Sequence, residues 1–134
     1  MVLAKAFAIQ GSHKVFEVTE AVKNFFMQYQ IKNKSYYTKV FLIEAYAHSI
    51  IGEVHISKEI LQAIEKEYKG KILEKRLLCE LKQIKIINRV IEKDLDEIKP
   101  ELFELADFAN NINEHSIKNF AKLILGHVFK TEGN

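Results

Sequence analysis

Apolar residues recur along this chain at intervals of three and four positions, the spacing that one face of an α-helix requires. A stripe of this kind follows Ser12 and consists of Val15, Val18, Val22, Phe25 and Tyr29. The same spacing returns after Ser35 and after Ser57. Serine is favoured just before a helix because its hydroxyl accepts a free backbone N–H. The pattern therefore predicts an all-α fold whose helices begin at these serines, with the stripes forming the core.

The first residues of the chain fit two kinds of element. The segment "VLAKAFAI", residues 2–9, could be a short helix or a strand paired with "KVFEV". The helical spacing through Val15 and Val18, which lie in that second segment, favours the helix. We therefore predict six or seven helices in a single compact domain over residues 1–130.

A corner that contains a glycine separates two of these helices in "IIGEVHISKEILQAIEKEYKG", residues 50–70. Gly52 is expected just past the end of one helix, and Ser57 is expected to cap the next. Ile56 and Leu61 have the spacing of an apolar contact across that cap. The corner also carries polar side chains, so it could be a working loop rather than a turn between packed helices.

The longest predicted element follows this corner. A near-heptad stripe runs through Leu77, Leu81, Ile84, Ile91, Leu95 and Ile98. It predicts one long central helix over about residues 71–99, and some 28 helical residues would span roughly 42 Å. Such a helix packs against several partners or leaves part of its stripe for another chain. We therefore expect a protein interface at Leu77, Leu81, Ile84, Ile91 and Leu95.

The remaining chain is punctuated by Pro100 and Asn113. Pro100 suits the first turn of a new helix, where its missing N–H has no partner to lose. Asn113 is expected to cap the last helix. The tail, residues 131–134, is expected to be frayed.

Composition restricts the class of protein. Hydrophobic residues make up 48% of the 134 positions and charged residues 28%, as in globular rather than disordered chains. The single cysteine, Cys79, cannot form an intramolecular disulfide and fits a reducing compartment. No apolar run approaches the roughly 20 residues that cross a bilayer, and the amino terminus is a poor signal peptide. We expect a cytoplasmic protein without a membrane partner.

Calcium does not suit the corner. An EF-hand loop needs oxygen ligands at fixed positions around its glycine. With Gly52 as that glycine, those positions hold Ala47, Ser49, Ile51 and Lys58. None of these side chains is a carboxylate, so the calcium hypothesis fails.

A transition metal is the second chemistry considered for the corner. Glu44 and His48 are four residues apart, as are His55 and Glu59, and Glu53 lies between the pairs. This spacing places two ligands on one helical face. However, His55 is expected to precede its helix, and neither an H-E-x-x-H nor a di-iron motif is present. We interpret these residues as surface side chains and predict no metal site and no cofactor.

DNA recognition by a helix-turn-helix is disfavoured by both geometry and charge. The turn over residues 52–57 is longer than the three or four residues of that motif. The helix that follows contains Glu59, Glu65 and Glu67, which would face phosphate unfavourably. The chain has only two arginines, the residue best suited to guanine contacts.

The corner resembles the helix-corner-helix of TerB-like (tellurite-resistance) domains over about residues 40–70. The matching positions are Ala45, Ala47, Gly52, Val54, Ser57, Glu59 and Ile60. The resemblance implies an all-α fold of about this length, with a related corner in the second half. Residues 103–126 could supply it, with Ala106, Ala109 and Asn113 in the corresponding roles. Ile51 stands where the family has an acid, so no metal-linked role is implied.

A basic and aromatic stretch lies between the predicted second and third helices. Residues 23–39 contain lysines among aromatic residues, and no carboxylate stands between Ala21 and Ile43. Lysines beside exposed rings are what single-stranded nucleic acids require, with charge for the backbone and rings for the bases. The candidate nucleic-acid-binding residues are Lys23, Lys32, Lys34, Tyr36, Tyr37 and Lys39.

Catalytic motifs are lacking. The sequence has no glycine-rich phosphate loop and no nucleophile elbow, so we expect no catalytic residue, no enzyme and no small-molecule substrate. The sequence favours a non-enzymatic helical interaction module that binds a protein partner or itself, as a homo-oligomer. The alternative is a small RNA- or single-stranded-DNA-binding subunit of a larger complex. Such a subunit would be similar in size and helix content to the small subunits of CRISPR type III complexes.

Overall fold

The chain is helical throughout in the computed structural model, which describes residues 2–132 and the side chains of residues 4–132. Within these residues there are seven helices and no strand. They are α1 (Val2–Ile9), α2 (Lys14–Gln28), α3 (Lys34–Ile50), α4 (Val54–Glu67), α5 (Lys75–Ile91), α6 (Ile98–Asn111) and α7 (His115–Thr131). The all-α prediction is confirmed, and the ambiguous first segment is a helix.

Contacts divide the chain between Leu73 and Glu74 into an amino-terminal unit, α1–α4, and a carboxy-terminal unit, α5–α7. Each is compact and is described by itself. The single domain over residues 1–130 stays a prediction. The frayed tail was expected from Thr131, but this residue is still helical, and its Oγ1 donates to the carbonyl of Val128 at 2.9 Å. Residues 133–134 lie outside the described chain.

One part of the core of the amino-terminal unit is rich in alanine. α1 packs on α2 and α3, and α3 packs on α4. A buried cluster joins the first three helices and consists of Ala4, Ala8, Val15, Ile43 and Ala47. Because alanine adds only a methyl group, the helix backbones can approach closely there. Phe7, Phe16, Val18 and Tyr46 pack around this cluster.

The α3–α4 corner ends one helix and starts the next without an intervening loop. Gly52 has φ +89°, and the N–H of Glu53 donates to the carbonyl of His48 at 2.7 Å, which is the Schellman arrangement. α4 therefore begins earlier than predicted, and Ser57 as its cap is wrong. Ser57 is buried inside α4, where its Oγ lies 2.8 Å from Ser49 Oγ.

Two other predicted caps are displaced. Asn33 precedes α3, and its Oδ1 accepts the N–H of Ser35 at 2.9 Å. The cap is thus two residues before the predicted Ser35, because asparagine serves this role as well as serine does. Ser12 is closer to its predicted role, since its Oγ accepts the N–H of Lys14 at 3.2 Å one residue before the N-cap.

The long central helix over residues 71–99 is wrong. The helix in this region is α5, Lys75–Ile91, and α6 begins only at Ile98. Gly70, with φ +73°, lies in the non-helical segment before α5. The apolar spacing continues through Leu95 across the break between α5 and α6, because spacing alone does not determine the backbone conformation between the apolar residues.

The break after α5 is stabilised by its own contacts. Lys93 has a left-handed backbone, φ +58°, and the N–H of Asp94 donates to the carbonyl of Arg89 at 2.9 Å. The Arg89 guanidinium pairs with Glu101 on α6 and donates to the carbonyl of Asp96 in the break. One arginine therefore joins the end of α5, the break and the start of α6.

The carboxy-terminal unit is built on the α6–α7 pair. Its buried cluster contains Cys79, Ile86, Ile98, Leu102, Leu105, Ala109, Ile117, Ala121, Leu125 and Val128. Pro100 lies in the first turn of α6, as predicted. Asn113 as the cap of α7 is wrong: it has φ +61° and ends α6, while Glu114 precedes α7. The left-handed region tolerates asparagine better than most side chains.

The α6–α7 corner repeats the backbone of the α3–α4 corner. The N–H of Glu114 donates to the carbonyl of Ala109 at 2.8 Å, as Glu53 donates to His48 at 2.7 Å. Asn113 thus occupies the position of Gly52, and both helices that follow begin directly after a glutamate. A corner was predicted in this segment, although with a different role for Asn113.

Candidate functional site

The predicted interface stripe does not form one exposed surface. Leu77, Leu81 and Ile84 are buried, whereas Ile91 and Leu95 are exposed. Leu95 lies in the break beyond α5 rather than on a helix. In this structure only the end of the stripe is accessible, and its role as an interface stays a prediction.

Lys23, a candidate nucleic-acid-binding residue, is neutralised by α3. Its Nζ lies 2.8 Å from Glu44 Oε1 and 5.0 Å from the ring centre of Phe41. The other oxygen of Glu44 accepts the hydroxyl of Thr19 at 2.9 Å. Glu44 stands just outside the acid-free stretch, so this pairing could not be predicted from the residues of the stretch.

Lys34 is paired as well. Its Nζ lies 2.8 Å from Glu67 Oε1, and both side chains are exposed. The hydrogen bond and charge of Glu67 raise the pKa of Lys34, and those of Lys34 lower the pKa of Glu67. An exposed pair of this kind contributes little stability, but together with the Lys23–Glu44 pair it neutralises two of the four lysines that the stretch offers to a phosphate.

The other candidates surround Phe26. Tyr36 is 44% exposed and stacks on the Phe26 ring with centroids 5.9 Å apart. Tyr37 is partly buried and meets the same ring edge-on at 5.2 Å. Lys39 Nζ lies 6.0 Å from the Tyr36 ring centre, and Lys32 is exposed nearby in the chain. An exposed aromatic ring and two lysines remain of the predicted six-residue site.

A groove of about 440 Å³ lies between α3 and α4. Its lining residues are Lys34, Tyr37, Thr38, Phe41, Ile60, Ala63, Ile64, Glu67 and Tyr68. Thr38 donates its hydroxyl to the carbonyl of Lys34 at 2.9 Å. Tyr68 must then donate to Thr38 Oγ1, 3.0 Å away, because a threonine hydroxyl has one proton. These two hydroxyls already bond each other, which leaves a mainly apolar groove.

The stripe predicted as the core of α2 is half uncovered. Val15 is fully buried, but Phe25 is 52% exposed and Tyr29 is 61% exposed. Their rings contact each other with centroids 4.6 Å apart. We call the uncovered part, Val18, Ala21, Val22, Phe25 and Tyr29, the α2 face. Sequence reasoning found these residues but assigned most of them to the interior.

The α2 face contains a hollow. It measures about 440 Å³ and is lined by Glu17, Val18, Ala21, Val22 and Phe25. Ala21 has the smallest side chain of the five. Phe25, one helical turn further along α2, forms one wall of the hollow and is 52% exposed. An exposed ring therefore borders a shallow depression on one apolar surface.

The residues considered for a metal do not converge. His48 Nδ1 lies 3.0 Å from Glu53 Oε1, while Glu44 is turned toward Lys23 and Thr19. Over residues 2–132, no group of three or more histidine, cysteine, aspartate or glutamate side chains is placed to hold a metal ion.

The single thiol is buried and held in its protonated form. Cys79 is fully buried in the core of the carboxy-terminal unit. Burial raises the pKa of its thiol to about 11, and the charges of Glu114 and Glu80 contribute in the same direction. The thiolate is the reactive form of cysteine, so little of it is present at neutral pH.

Comparisons with protein-family models, with curated proteins and with solved structures found no match. Among the described helices, none has the length and apolar character needed to cross a membrane. The resemblance to TerB-like domains and the cytoplasmic location stay predictions.

Proposed function

We propose that this chain is a helical interaction module that binds a protein, a second copy of itself included, through the α2 face. The observation that carries the proposal is the exposure of Phe25 and Tyr29 on the apolar stripe of an amphipathic helix. Water-exposed apolar surface is costly, and contiguous apolar surface beside a hollow is typical of binding sites on proteins. Aromatic side chains of this kind supply much of the energy of protein interfaces.

The charge around the α2 face favours a protein over a nucleic acid. Lys23 and Lys34, two of the four candidate lysines, are each 2.8 Å from a carboxylate. A phosphate backbone would have to compete with Glu44 and Glu67 for them. An apolar protein surface requires no such exchange, since it contacts the rings and leaves both ion pairs intact.

Photo-crosslinking from one position of α2 tests the proposal. A photoreactive phenylalanine analogue is placed at Phe25 in one variant and at Met27 in the other, in the cell that naturally makes the protein. Met27 is a matched control because it lies on the same helix and is 70% exposed but does not line the hollow. We expect discrete protein adducts from position 25 that are absent from position 27. Equal adduct patterns, or none from position 25, would overturn the proposal.

A second candidate function is supported by one observation. Tyr36 presents an exposed ring that rests on Phe26, with Lys39 beside it. A supported ring next to a lysine suits the stacking of an unpaired base. We infer that Tyr36 and Lys39 are the site at which the chain would bind RNA or single-stranded DNA. This is the nucleic-acid-binding function predicted as the alternative from the sequence.

Titration with a fluorescent single-stranded RNA of about 30 nucleotides tests this second candidate. Binding through Lys32 and Lys39 would weaken steeply with salt, and the double variant Lys32→Glu/Lys39→Glu would abolish it. The double variant Lys66→Glu/Lys130→Glu changes the net charge equally at exposed sites elsewhere and is the control. Equal loss in both variants would mean a non-specific charge effect and would remove the case for a site at Tyr36.

A further inference from the structure

The hollow and the ring on the α2 face are complementary to each other. Ala21 and Phe25 both line the hollow, and the Phe25 ring is 52% exposed. Phe25 cannot fill the hollow of its own helix, because it already forms a wall of it, so a ring that fills the hollow comes from another molecule. When two copies are related by a two-fold axis, both contribute the same surface patch. If one residue of the first copy contacts a second residue of the other copy, the reverse contact is also made. A two-fold axis between these residues would place each Phe25 over the other copy's Ala21.

We propose that the α2 face binds the α2 face of a second copy, with the helices antiparallel and each Phe25 in the hollow at Ala21 of the other copy. This inference rests on the proposed function and names the partner. It uses the surface that is apolar and exposed, and it leaves the Lys23–Glu44 and Lys34–Glu67 pairs in place.

Polar groups at the edge of the α2 face fit the same register. Glu17 and Tyr29 lie one turn outside Ala21 and Phe25, respectively, and both are exposed. When Phe25 meets the partner's Ala21, Tyr29 meets the partner's Glu17. The phenol O–H can donate to the carboxylate, which is a charge-assisted hydrogen bond. The contact occurs twice because of the two-fold symmetry.

The ends of the helices are also complementary in charge. α2 begins with Lys14, and its last turn has no basic residue to offset the partial negative charge of its final carbonyl groups. In this register Lys14 of one copy lies just past the carboxyl end of α2 in the other, beyond Gln28, and Lys32 follows in the non-helical segment there. A parallel arrangement would place Glu17 beside Glu17 and Phe25 beside Phe25, and both hollows would stay empty.

The size of the contact sets the strength to expect. α2 has 15 residues, a length of about 22 Å. One helix pair of this length lies at the small end of specific interfaces, which include transient ones. We therefore expect a dimer that dissociates at protein concentrations of the order of 10 µM.

Analytical ultracentrifugation of the full chain tests the pairing between about 1 and 500 µM protein. We expect the unsubstituted protein to pass from monomer to dimer over this range. Phe25→Ala removes the ring, and Ala21→Phe fills the hollow, so each should weaken dimerisation at least about tenfold. Met27→Ala removes an exposed side chain outside the face and should change nothing. Circular dichroism checks that each variant is folded, and both face variants alter exposed positions.

Paired cysteine variants test the register. Glu17→Cys and Tyr29→Cys are made separately, and each retains the buried Cys79. With a copper–phenanthroline oxidant, we expect disulfide-linked dimers only when the two variants are mixed. Efficient crosslinking of either variant alone would indicate a parallel pair and would overturn the proposed arrangement.

The outcomes separate this inference from the proposed function. A monomer at every concentration, or dimers unaffected by Phe25→Ala and Ala21→Phe, would overturn the pairing. The proposed function would still stand if position 25 gave adducts with a different protein in the cell. Absence of any adduct from position 25 would overturn the proposed function itself.

Discussion

Among residues 2–132, four residues other than glycine hold a left-handed backbone, in which Cβ approaches the following carbonyl oxygen. They are Gln30, Lys93, Glu97 and Asn113, with φ between +53° and +61°. Three of them, all except Glu97, stand one residue past a helix C-cap, where α3 has Gly52. The sequence could not reveal these helix ends, because a glycine is the usual signal for them.

Glycine at one of these positions should stabilise the protein. Lys93→Gly relieves the strain at Cβ, and we expect the free energy of unfolding to rise by about 0.5–1 kcal/mol. Urea denaturation measures this change. Lys122→Gly, the same substitution at an exposed position inside α7, should lower it by about 1 kcal/mol. A loss of stability in Lys93→Gly would contradict the left-handed assignment.

An exposed ion pair gives a pH-dependent contribution that can be followed at one residue. Lys82 Nζ lies 2.7 Å from Glu104 Oε1, and its hydrogen bond and charge lower the pKa of Glu104. The contribution to stability is therefore present above the unfolded pKa, near 4.3, and is lost as the pH falls through the lower folded value. NMR titration should show the pKa of Glu104 returning toward its usual value in Lys82→Met. An unchanged titration would mean that the pair does not persist in solution.

At the scale of elements, the sequence predicted more of the helices than of their ends. Periodic apolar residues correctly indicated helices throughout, because amphipathicity is a local property. The caps predicted at Ser35, Ser57 and Asn113 are not the residues that precede these helices in the structure. Each corner contains several polar residues, and the sequence does not show which of them occupies the N-cap position. The helix over 71–99 was overextended because the stripe continues through a break that Arg89 holds by contacts distant in sequence.

The α2 face shows why the candidate site was harder to predict than the fold. Val18, Phe25 and Tyr29 carry the spacing of a core stripe, and the sequence gives no information on which elements cover it. Whether an apolar face is interior or exposed depends on packing between helices.

The pairing of Lys23 with Glu44 is likewise a tertiary contact between α2 and α3.

The α3–α4 corner depends on a buried hydroxyl pair, and a double-mutant cycle should reveal this. Ser49 Oγ and Ser57 Oγ lie 2.8 Å apart in the interior. Ser49→Ala or Ser57→Ala alone should lower the free energy of unfolding by about 1–2 kcal/mol, because either substitution breaks this buried hydrogen bond. The double variant should cost less than the sum of the two. Additive costs, measured by urea denaturation, would show that the hydroxyls do not interact.

At the scale of the whole molecule, the two units are joined through a segment with little regular structure. Residues 68–74 lie outside any helix, and Ile72 is almost fully exposed. Exposed, non-helical chain is cut most readily by proteases. We expect trypsin to cleave the folded protein first after Lys69 or Lys71. The break after α5 also contains an exposed lysine, Lys93, but the contacts of Asp94 and Asp96 with Arg89 should protect this segment.

Mass spectrometry of early digestion products checks this expectation, and Lys69→Gln/Lys71→Gln is the control that should delay the first cut. If cleavage began at Lys93 or within a helix, the segment between the units would be more protected than its exposure indicates. The rate to be measured is that of the first cleavage of the folded protein. Digestion is therefore kept brief and at low protease concentration.

The proposed function requires the α2 face to be a binding surface for protein. The measurement that tests this most directly is the ratio of photo-crosslinked protein adducts formed from position 25 to those formed from position 27 in the cell. We predict a ratio well above one that falls to near one when Ala21→Glu places a charge in the hollow. A ratio near one in the otherwise unsubstituted chain would contradict the account.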